Sequence, residues 1–190
     1  MAQEKRFSVL LLVAGILSLA PNIRDSIVVW DPVRQLHWTD YRGQVPVQTP
    51  HGAVTHLVVQ SSNVFPDWRH VDYEVICHMV KEKSWVKPEH RRDSVLLRHE
   101  QVHFDLAECS ARTLRKKLME ETMAIDECNS RLQVLRDSVH RELQKLQDKY
   151  DRETAHGVLV SEQARWARKV EHMLDSLSGY SQTRFRVALR

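Results

Sequence analysis

The amino-acid sequence predicts an α+β fold in which a small N-terminal, mainly antiparallel β-sheet is followed by three helices. Residues 27–87 consist of short β-favouring segments separated by proline and glycine, a pattern typical of strands and turns. From Asp93 to the end there is no proline, and apolar residues recur at intervals of three and four, as they do along helices. A chain of 190 residues is long enough for one domain with its own core.

The composition is that of a globular protein. Charged residues make up 28% of the chain and hydrophobic residues 42%, which excludes the disordered and fibrous classes. The formal net charge is only +3, and lysine and arginine are scattered along the chain, so we do not expect nucleic acid as a partner. The densest basic clusters, Arg91–Arg92 and Arg115–Lys117, are interpreted as solvated surface.

The first 20 residues differ from the rest of the chain. Two basic residues precede an apolar segment, residues 7–20, that ends in small residues, which is the pattern of a secretory signal peptide. The segment is too short to span a bilayer comfortably, so an uncleaved membrane anchor is the less favoured alternative. We therefore predict a signal peptide over residues 1–20 and a single mature domain over residues 21–190. We expect export to the periplasm or the medium, with no stable membrane insertion once the signal is removed.

Three segments have the composition of strands. They are "SIVVW" at residues 26–30, "AVTHLVVQ" at residues 53–60 and "VDYEVICHMV" at residues 71–80. The last segment alternates apolar and polar residues over its first half, so one of its faces should be buried. We expect these segments to form the β-rich part of the domain, residues 27–87.

Three helical segments follow within residues 93–178. Asp93 or Ser94 can cap the first helix, and Gly179 can end the third. Each helix has one apolar face. That face carries Leu96, His103, Ala107, Ala111, Leu114 and Leu118 in the first helix, Leu132, Leu135, Val139, Leu143 and Leu146 in the second, and Trp166, Val170, Met173 and Leu177 in the third.

The three cysteines, Cys77, Cys109 and Cys128, lack Cys-X-X-Cys spacing. This argues against a cysteine metal cluster or a thioredoxin-type redox site. If the protein is exported, its three cysteines can form at most one internal disulfide, and one thiol then stays free or pairs with another chain. Each cysteine also fits the role of a small buried apolar residue.

The segment "LLRHEQVHFDLAE", residues 96–108, carries the candidate chemistry. Residues four apart lie on one side of a helix, so His99 and His103 can hold one metal ion between their imidazoles. Glu100 is offset by one position, where its carboxylate can act on a water molecule instead of binding the metal. This is the His-Glu-X-X-His pattern of zinc peptidases, in which zinc supplies Lewis acidity and the glutamate acts as general base. The alternative is that this spacing arose by chance in a chain with 11 histidines. The two histidines lie toward the apolar face of the helix, where histidines without a ligand would be poorly placed, so chance is disfavoured.

A catalytic zinc ion needs a third protein ligand. Glu108 lies about 140° around the helix from His103 and cannot reach the same ion. His156 in "YDRETAHG" is the strongest candidate, because it lies in a polar segment between the second and third helices and is followed by the permissive Gly157. Carboxylates from later segments are the alternatives. They are Glu120, Glu121, Glu127 and Glu153.

Several motifs, in a consistent order, resemble a known family. "HEQVHFD" and "YDRETAHG" are the specific ones; "QARW" follows them, and "LHWTDYRG" and "KSWVK" lie upstream. Over residues 36–174 or so, the chain resembles a family of exported, largely uncharacterised bacterial proteins described as predicted zinc-dependent proteases. Val102 and Ala155 differ from the residues common in that family, and neither substitution removes a proposed ligand.

The resemblance implies a zincin-like metallopeptidase arrangement. It implies that His99 and His103 are metal ligands and that Glu100 is the catalytic residue. The place of His156 in the Thr-X-His-Gly block of the family makes it the third ligand by position.

Other residues carry weaker predictions. Tyr150 could stabilise the tetrahedral intermediate as a second catalytic residue, or it could end the apolar face of the second helix. Asp151 could orient an imidazole. Trp38 and Trp85 could line a substrate groove, although core packing is more usual for tryptophans in short strands, and we assign Trp166 to packing.

The sequence thus predicts an exported zinc-dependent hydrolase, with Zn²⁺ as cofactor and a peptide or protein as substrate. The predicted site has catalytic residues Glu100 and Tyr150 and metal ligands His99, His103 and His156. The alternative is a non-enzymatic cell-envelope or interaction protein whose metal ion is structural. A structural site is normally closed by four protein ligands and has no need of the glutamate, so catalysis is favoured.

Overall fold

The computed structural model of the protein describes residues 25–190, and the predicted signal peptide, residues 1–20, lies outside this range. The strands are β1 (Ile27–Val29), β2 (Ala53–Val54), β3 (Leu57–Asp67), β4 (His70–Val80), β5 (Trp85–Val86) and β6 (Arg184–Ala188). The helices are α1 (Ser94–Glu120), α2 (Cys128–Thr154) and α3 (Val160–Ser176). The predicted α+β fold, a small antiparallel sheet with three helices, is confirmed. None of these helices is long and apolar enough to cross a membrane.

The central strand of the main sheet is β4. It pairs antiparallel with β3 on one side, and with β1 and β6 at opposite ends of its other side. β2 and β5 form a separate two-stranded antiparallel sheet. Because β3 has a partner on one side only within the described chain, it is an edge strand of the main sheet.

The pairing of β6 departs from the predicted order of strands first and helices afterwards. β6 follows all three helices and returns to β4. Arg184 forms an ion pair with Glu74 and Arg186 forms one with Asp72. These partners are 110 and 114 residues apart in sequence. The stabilisation of β6 therefore comes from contacts that its own short sequence does not reveal.

Alternation along β4 places its apolar residues on one face of the sheet. Val71, Tyr73, Val75, Cys77 and Met79 are each at most 1% exposed. α1 packs against the sheet on one side and against α2 and α3 on the other. α1 is therefore the central layer of the molecule, and polar residues on it must find partners inside the protein.

The predicted strand at residues 53–60 is divided into β2 and β3. The chain changes partner between them, from β5 to β4. His56 holds the corner, since its N–H donates to Ser84 Oγ at 2.8 Å and its carbonyl accepts from Val80 N at 2.9 Å. Thr55 is thereby outside both sheets, and its side chain is available to the candidate site.

The start of α1 is fixed by the predicted cap. Asp93 is the N-cap residue, and its Oδ1 accepts hydrogen bonds from Val95 N and Leu96 N, both at 2.9 Å. An N-cap of this kind satisfies two of the unpaired N–H groups of the first turn. By fixing where α1 begins, the cap also fixes on which side of the helix His99 and His103 lie.

A buried ionic cluster joins α1 to the sheet. Arg115 is fully buried and donates to Val75 O and to Glu108 Oε1, both at 2.9 Å. Glu108 also accepts from Arg112 Nε at 3.0 Å. The prediction that Arg115 lies on the solvated surface is wrong, because a carboxylate of the same helix and a carbonyl group of β4 take the place of water around its guanidinium.

The cysteines belong to the core. Cys77, Cys109 and Cys128 are free thiols, and each is buried. Burial raises the pKa of Cys77 well above its ordinary value and raises the pKa of Cys109 to about 12. These two thiols stay protonated at neutral pH and lack the thiolate character of a reactive cysteine.

Three tryptophans also pack in or against the core. Trp166 is 1% exposed and Trp85 is 7% exposed, while Trp38 packs against the core with its ring 4.8 Å from that of Tyr41. The assignment of Trp166 to packing is confirmed. Trp38 and Trp85 take the packing role that was the alternative to a substrate groove.

The ionic cluster predicts the effect of Glu108→Gln on stability. The substitution removes the charge that balances two buried guanidinium groups, and losing one partner of a buried ion pair costs about 3–5 kcal/mol. We expect the free energy of unfolding, measured by urea denaturation, to fall by that amount.

Glu120→Gln on the same helix is the matched control. Its carboxylate is 58% exposed and lies 3.9 Å from Lys116 Nζ, so we expect a change within about 0.5 kcal/mol. If the two variants lost the same free energy of unfolding, the buried cluster would contribute no more stability than the exposed ion pair.

Candidate metal centre

Helices α1 and α2 bring the site residues together. His99 contacts Asp151, and His103 contacts Gln147. The two helices run antiparallel, because the contacting residue of α2 has a lower number where that of α1 has a higher one. The two residues on each helix are four apart and so lie on one side of it. The result is two facing pairs across the helix interface.

Three ligand-type atoms converge at this interface. His99 Nε2 and His103 Nε2 are 3.1 Å apart, and Asp151 Oδ1 lies 3.0 Å from the first and 2.9 Å from the second. Around a tetrahedral zinc ion with bonds of about 2.0–2.1 Å, ligand atoms are roughly 3.3 Å apart. The observed triangle is close to this spacing. His99, His103 and Asp151 therefore form a group that could hold a metal ion.

Gln147 fixes the orientation of His103. Its Oε1 is hydrogen-bonded to His103 Nδ1, and its Nε2 donates to His103 O at 3.3 Å. Since an amide oxygen can only accept, the Nδ1 of His103 must carry the hydrogen. In the neutral imidazole this leaves the Nε2 lone pair directed at the triangle, as a metal ligand requires.

Tyr150 supports the other histidine. Its ring is stacked on the imidazole of His99, with centroids 4.6 Å apart and an interplanar angle of 21°. Its hydroxyl donates to His99 O at 3.4 Å. The Nδ1 atom of His99 is buried and has no hydrogen-bond partner among the described residues. Packing against Tyr150, not a hydrogen bond at Nδ1, therefore holds this ring in place.

The turn after α2 packs closely against His99. Ala155, His156 and Gly157 have φ angles of 48°, 54° and 88°, which lie in the left-handed region. A Cβ atom on Gly157 would lie 3.1 Å from both Cβ and Cγ of His99. Glycine is thus required at this position both by its conformation and by the close approach of the imidazole.

The site attracts positive charge. Burial alone lowers the pKa of His103, but its hydrogen bond to Asp151 and the negative charges of Glu100 and Asp151 outweigh burial, so the pKa is raised. Burial alone raises the pKa of Asp151, but its hydrogen bonds to the two histidines lower the pKa well below its ordinary value. A cation between the three groups, whether a proton or a metal ion, is therefore favoured.

Glu100 is held by a hydroxyl chain from the neighbouring strands. It is 5% exposed. Thr55 Oγ1 donates to Glu100 Oε2 at 2.5 Å, and Thr55 Oγ1 lies 2.7 Å from Tyr41 Oη. Because the hydrogen of Thr55 goes to the carboxylate, Tyr41 is the donor to Thr55. Burial raises the pKa of Tyr41 well above its ordinary value, so this donor stays protonated, and Oε1 of Glu100 has no hydrogen-bond partner among the described residues.

The site opens into a large cleft. Its volume is about 1100 Å³, and its walls come from β2, β3, α1, α2 and the segment before α3. Glu100, Thr55 and the three residues of the triangle all line it. A carboxylate with a free oxygen and a candidate metal site therefore face the same solvent-accessible space.

The structure does not place His156 at the third position of the triangle. That position belongs to Asp151, which the sequence had suggested only as an orienting residue. His156 Nδ1 lies 3.6 Å from Asp151 Oδ1, and its side chain is 65% exposed and lines the cleft. The physical reason is the helix spacing. Asp151 lies on the last turn of α2 and faces both imidazoles, whereas His156 lies beyond the end of α2, in the left-handed turn that leads the chain away.

Tyr150 is also placed differently from the catalytic prediction. It is fully buried, and it does not line the cleft. Its hydroxyl is directed at a backbone carbonyl of α1, and burial raises its pKa far above the ordinary value. The structure thus gives Tyr150 the alternative role, the last apolar residue of α2, and adds to it the support of His99.

The alternative carboxylates have other partners. Glu153 accepts from Trp166 Nε1 and Arg165 Nη2 at 2.8 and 2.9 Å. Glu121 pairs with Arg131. The remaining alternatives, Glu120 and Glu127, pair with Lys116 and Arg190. None of the four belongs to the triangle.

Three positions of the candidate site were not predicted in their observed roles. The sequence predicts Asp151 only as a residue that orients an imidazole, and it predicts no role for Gln147 or Thr55. Asp151 and Gln147 do carry a signal, because they repeat on α2 the four-residue spacing of His99 and His103 on α1. Thr55 carries none, because its position depends on the change of strand partner between β2 and β3.

Comparison with known proteins gives a family for this chain. Residues 37–157, more than half of the chain, match the family described as "Bacterial protein of unknown function (DUF922)". The chain therefore belongs to this family, which agrees with the predicted resemblance to an uncharacterised bacterial family. The family's description names no activity. Comparison with curated proteins and with solved structures gives no match.

The contacts of Gln147 predict the effect of Gln147→Leu on metal binding. The leucine fills similar space but cannot accept the hydrogen of His103 Nδ1. Loss of such an orienting partner typically weakens metal affinity about 10–100-fold. We expect a loss of this size in zinc affinity, measured by competition with a chelating dye.

Gln144→Leu is the matched control. Gln144 lies on α2 three residues before Gln147 and lines the same cleft. It forms no hydrogen bond to either histidine among the described contacts. We expect its zinc affinity to equal that of the unsubstituted protein. If the two variants bind zinc equally well, Gln147 does not orient His103.

Proposed function

We propose that this chain, a member of the DUF922 family, is an exported zinc-dependent hydrolase, most simply a metallopeptidase. The observation that carries the proposal is the joint presence of the His99–His103–Asp151 triangle and the Glu100 carboxylate in one open cleft. A catalytic zinc site uses three protein ligands and an open fourth position. The three converging atoms fit that arrangement.

The donor set favours zinc. Two imidazole nitrogens and one carboxylate oxygen are ligands that Zn²⁺ accepts in a tetrahedral arrangement. Mg²⁺ and Ca²⁺ prefer sites built from oxygen ligands alone. The absence of a thiolate among the three residues also fits a catalytic site better than a cysteine-rich structural zinc site.

Glu100 is the proposed general base. A bound zinc ion supplies Lewis acidity, which polarises a carbonyl group and makes water easier to deprotonate. Glu100 accepts the proton of the attacking water on its free oxygen, Oε1, and then delivers it to the leaving amine nitrogen. Thr55 holds the other oxygen, Oε2, so that the carboxylate keeps one orientation through both proton transfers.

The cleft supports a peptide or protein as substrate. Its volume, about 1100 Å³, is large for a small metabolite. Apolar residues with exposed surface line the cleft, among them Val54 of β2, Leu57 and Val59 of β3, and Val158 of the segment before α3. Apolar surface of this kind beside a hydrolytic centre suits the side chains of a polypeptide.

A structural metal site is the second candidate function. His156 Nδ1 lies only 3.6 Å from Asp151 Oδ1, so a small rotation of this imidazole could supply a fourth ligand. A site closed in this way would leave no position for a substrate. The protein would then be a non-enzymatic cell-envelope or interaction protein stabilised by its metal ion.

Glu100→Gln separates the two candidates. The purified mature protein, made without an affinity tag, should contain about one zinc ion per chain. Glu100→Gln keeps the shape of the side chain and the oxygen that Thr55 contacts but removes the base. We expect hydrolysis of a peptide library to fall by at least about 100-fold, with zinc content and melting temperature unchanged.

Glu171→Gln, at an exposed position on α3, is the matched control and should retain full activity. If the unsubstituted protein binds zinc but cleaves no member of a broad library, the structural alternative is favoured. Equal activity of the unsubstituted protein and Glu100→Gln would mean that Glu100 is not the base.

The location can be tested separately. Because the first residues have the pattern of a secretory signal, we expect the chain to cross the cytoplasmic membrane and lose about 20 residues. Intact mass measurement on fractionated cells checks this. Recovery of the full-length chain from the cytoplasm would contradict export.

A further inference from the structure

Besides the metal ion, a hydrogen-bond donor that faces the substrate carbonyl oxygen would stabilise the negative charge that develops there during the proposed hydrolysis. Three polar side chains beside the triangle have other partners. The Tyr150 hydroxyl donates to His99 O, the Gln147 amide group is bonded to His103 at both ends, and the Thr55 hydroxyl donates to Glu100. These groups therefore hold the site together and are not free for a substrate.

Among the described residues, His156 is a donor that remains beside the triangle. Its imidazole lies 3.6 Å from Asp151 Oδ1, next to the candidate metal site, and its side chain is 65% exposed. It lines the cleft together with Glu100 and the triangle. An imidazole in this position can meet a substrate without first breaking a bond that the fold depends on.

The backbone holds His156 in this place. His156 N donates to Asp151 O at 2.9 Å, and Gly157 N lies 3.3 Å from Thr154 Oγ1. Ala155 and His156 are both in the left-handed region, which is unfavourable for residues other than glycine. Unfavourable backbone conformations persist where the surrounding contacts impose them, and they are concentrated at functional sites. The imidazole is thus exposed but attached to a fixed point.

A second histidine borders the same opening. The His51 ring lies 6.0 Å from the His156 ring, in an edge-to-face arrangement, and both rings line the cleft. His51 comes from the segment before β2, whereas His156 comes from the segment before α3. The two imidazoles therefore approach the opening from different parts of the chain, and His156 is the one beside the metal-binding carboxylate.

We propose that His156 is a catalytic residue that binds the substrate, and that it is not the third metal ligand. An imidazole N–H of His156 donates a hydrogen bond to the carbonyl oxygen of the scissile bond, and this hydrogen bond strengthens as the oxygen becomes negatively charged. The inference rests on the proposed hydrolase function. It assigns to His156 the role that the sequence had suggested for Tyr150, and it assigns the ligand role to Asp151.

The test compares His156→Ala, His156→Gln and Asp151→Ala in two measurements on the mature protein. Zinc affinity is measured by competition with a chelating dye, and kcat and KM are measured on a cleaved peptide. For His156→Ala we expect zinc affinity within about threefold of the unsubstituted protein and a kcat lower by about 10²–10³-fold, the usual effect of removing one such donor. His156→Gln, whose side-chain amide can donate, should recover part of kcat. Asp151→Ala should lose zinc affinity.

His172→Ala, an exposed histidine of α3 outside the cleft, is the control and should match the unsubstituted protein in both measurements. A loss of zinc affinity in His156→Ala as large as that in Asp151→Ala would overturn the proposal and make His156 a ligand. An active protein whose kcat is unchanged by His156→Ala would overturn the proposal while leaving the hydrolase function intact. An unsubstituted protein that binds zinc but hydrolyses no peptide would overturn both.

Discussion

The antiparallel contact between α1 and α2 is the constraint on which the rest of the site depends. It sets His99 and His103 on one helix against Asp151 and Gln147 on the other, with the same four-residue spacing on both sides. A shift of either helix by one residue would rotate its pair by about 100° and separate the groups. The packing of two helices therefore determines whether these side chains converge in a group that could hold a metal ion.

The remaining structure stabilises that contact. Asp93 fixes the start of α1, and the buried pairing of Glu108 with Arg115 ties its middle to β4. Both features resist rotation or sliding of α1, because each would leave buried polar groups without partners. Tyr150 fills the space under His99 and completes the interface from the α2 side. The polar residues inside this protein thus have a positional role as well as an energetic one.

Besides forming walls of the cleft, the strands contribute to the orientation of Glu100 through the break between β2 and β3. Where the chain passes from β2 to β3, it leaves one sheet and joins another, and Thr55 lies in the break. The hydroxyl of Thr55 then reaches Glu100, supported by Tyr41. A continuous strand over residues 53–60 would have bound the Thr55 backbone in a ladder. The division of one predicted strand into two is therefore part of how the carboxylate is oriented.

The sequence by itself determined the local structure and the first half of the site. Proline and glycine spacing, strand alternation and helical periodicity each depend on neighbouring residues, so the α+β class, the cap at Asp93 and the facing of His99 and His103 could be predicted. β6, the burial of Arg115 and the position of Asp151 beside both imidazoles could not, because each depends on a partner many positions away. His156 shows the difference most clearly. Its motif predicted a position near His99 and His103, but only the antiparallel helices and the left-handed turn decided that Asp151 faces both imidazoles and that His156 faces the cleft. Sequence spacing specifies on which side of a helix or strand a residue lies, whereas the packing of helices and strands specifies which residues that side contacts.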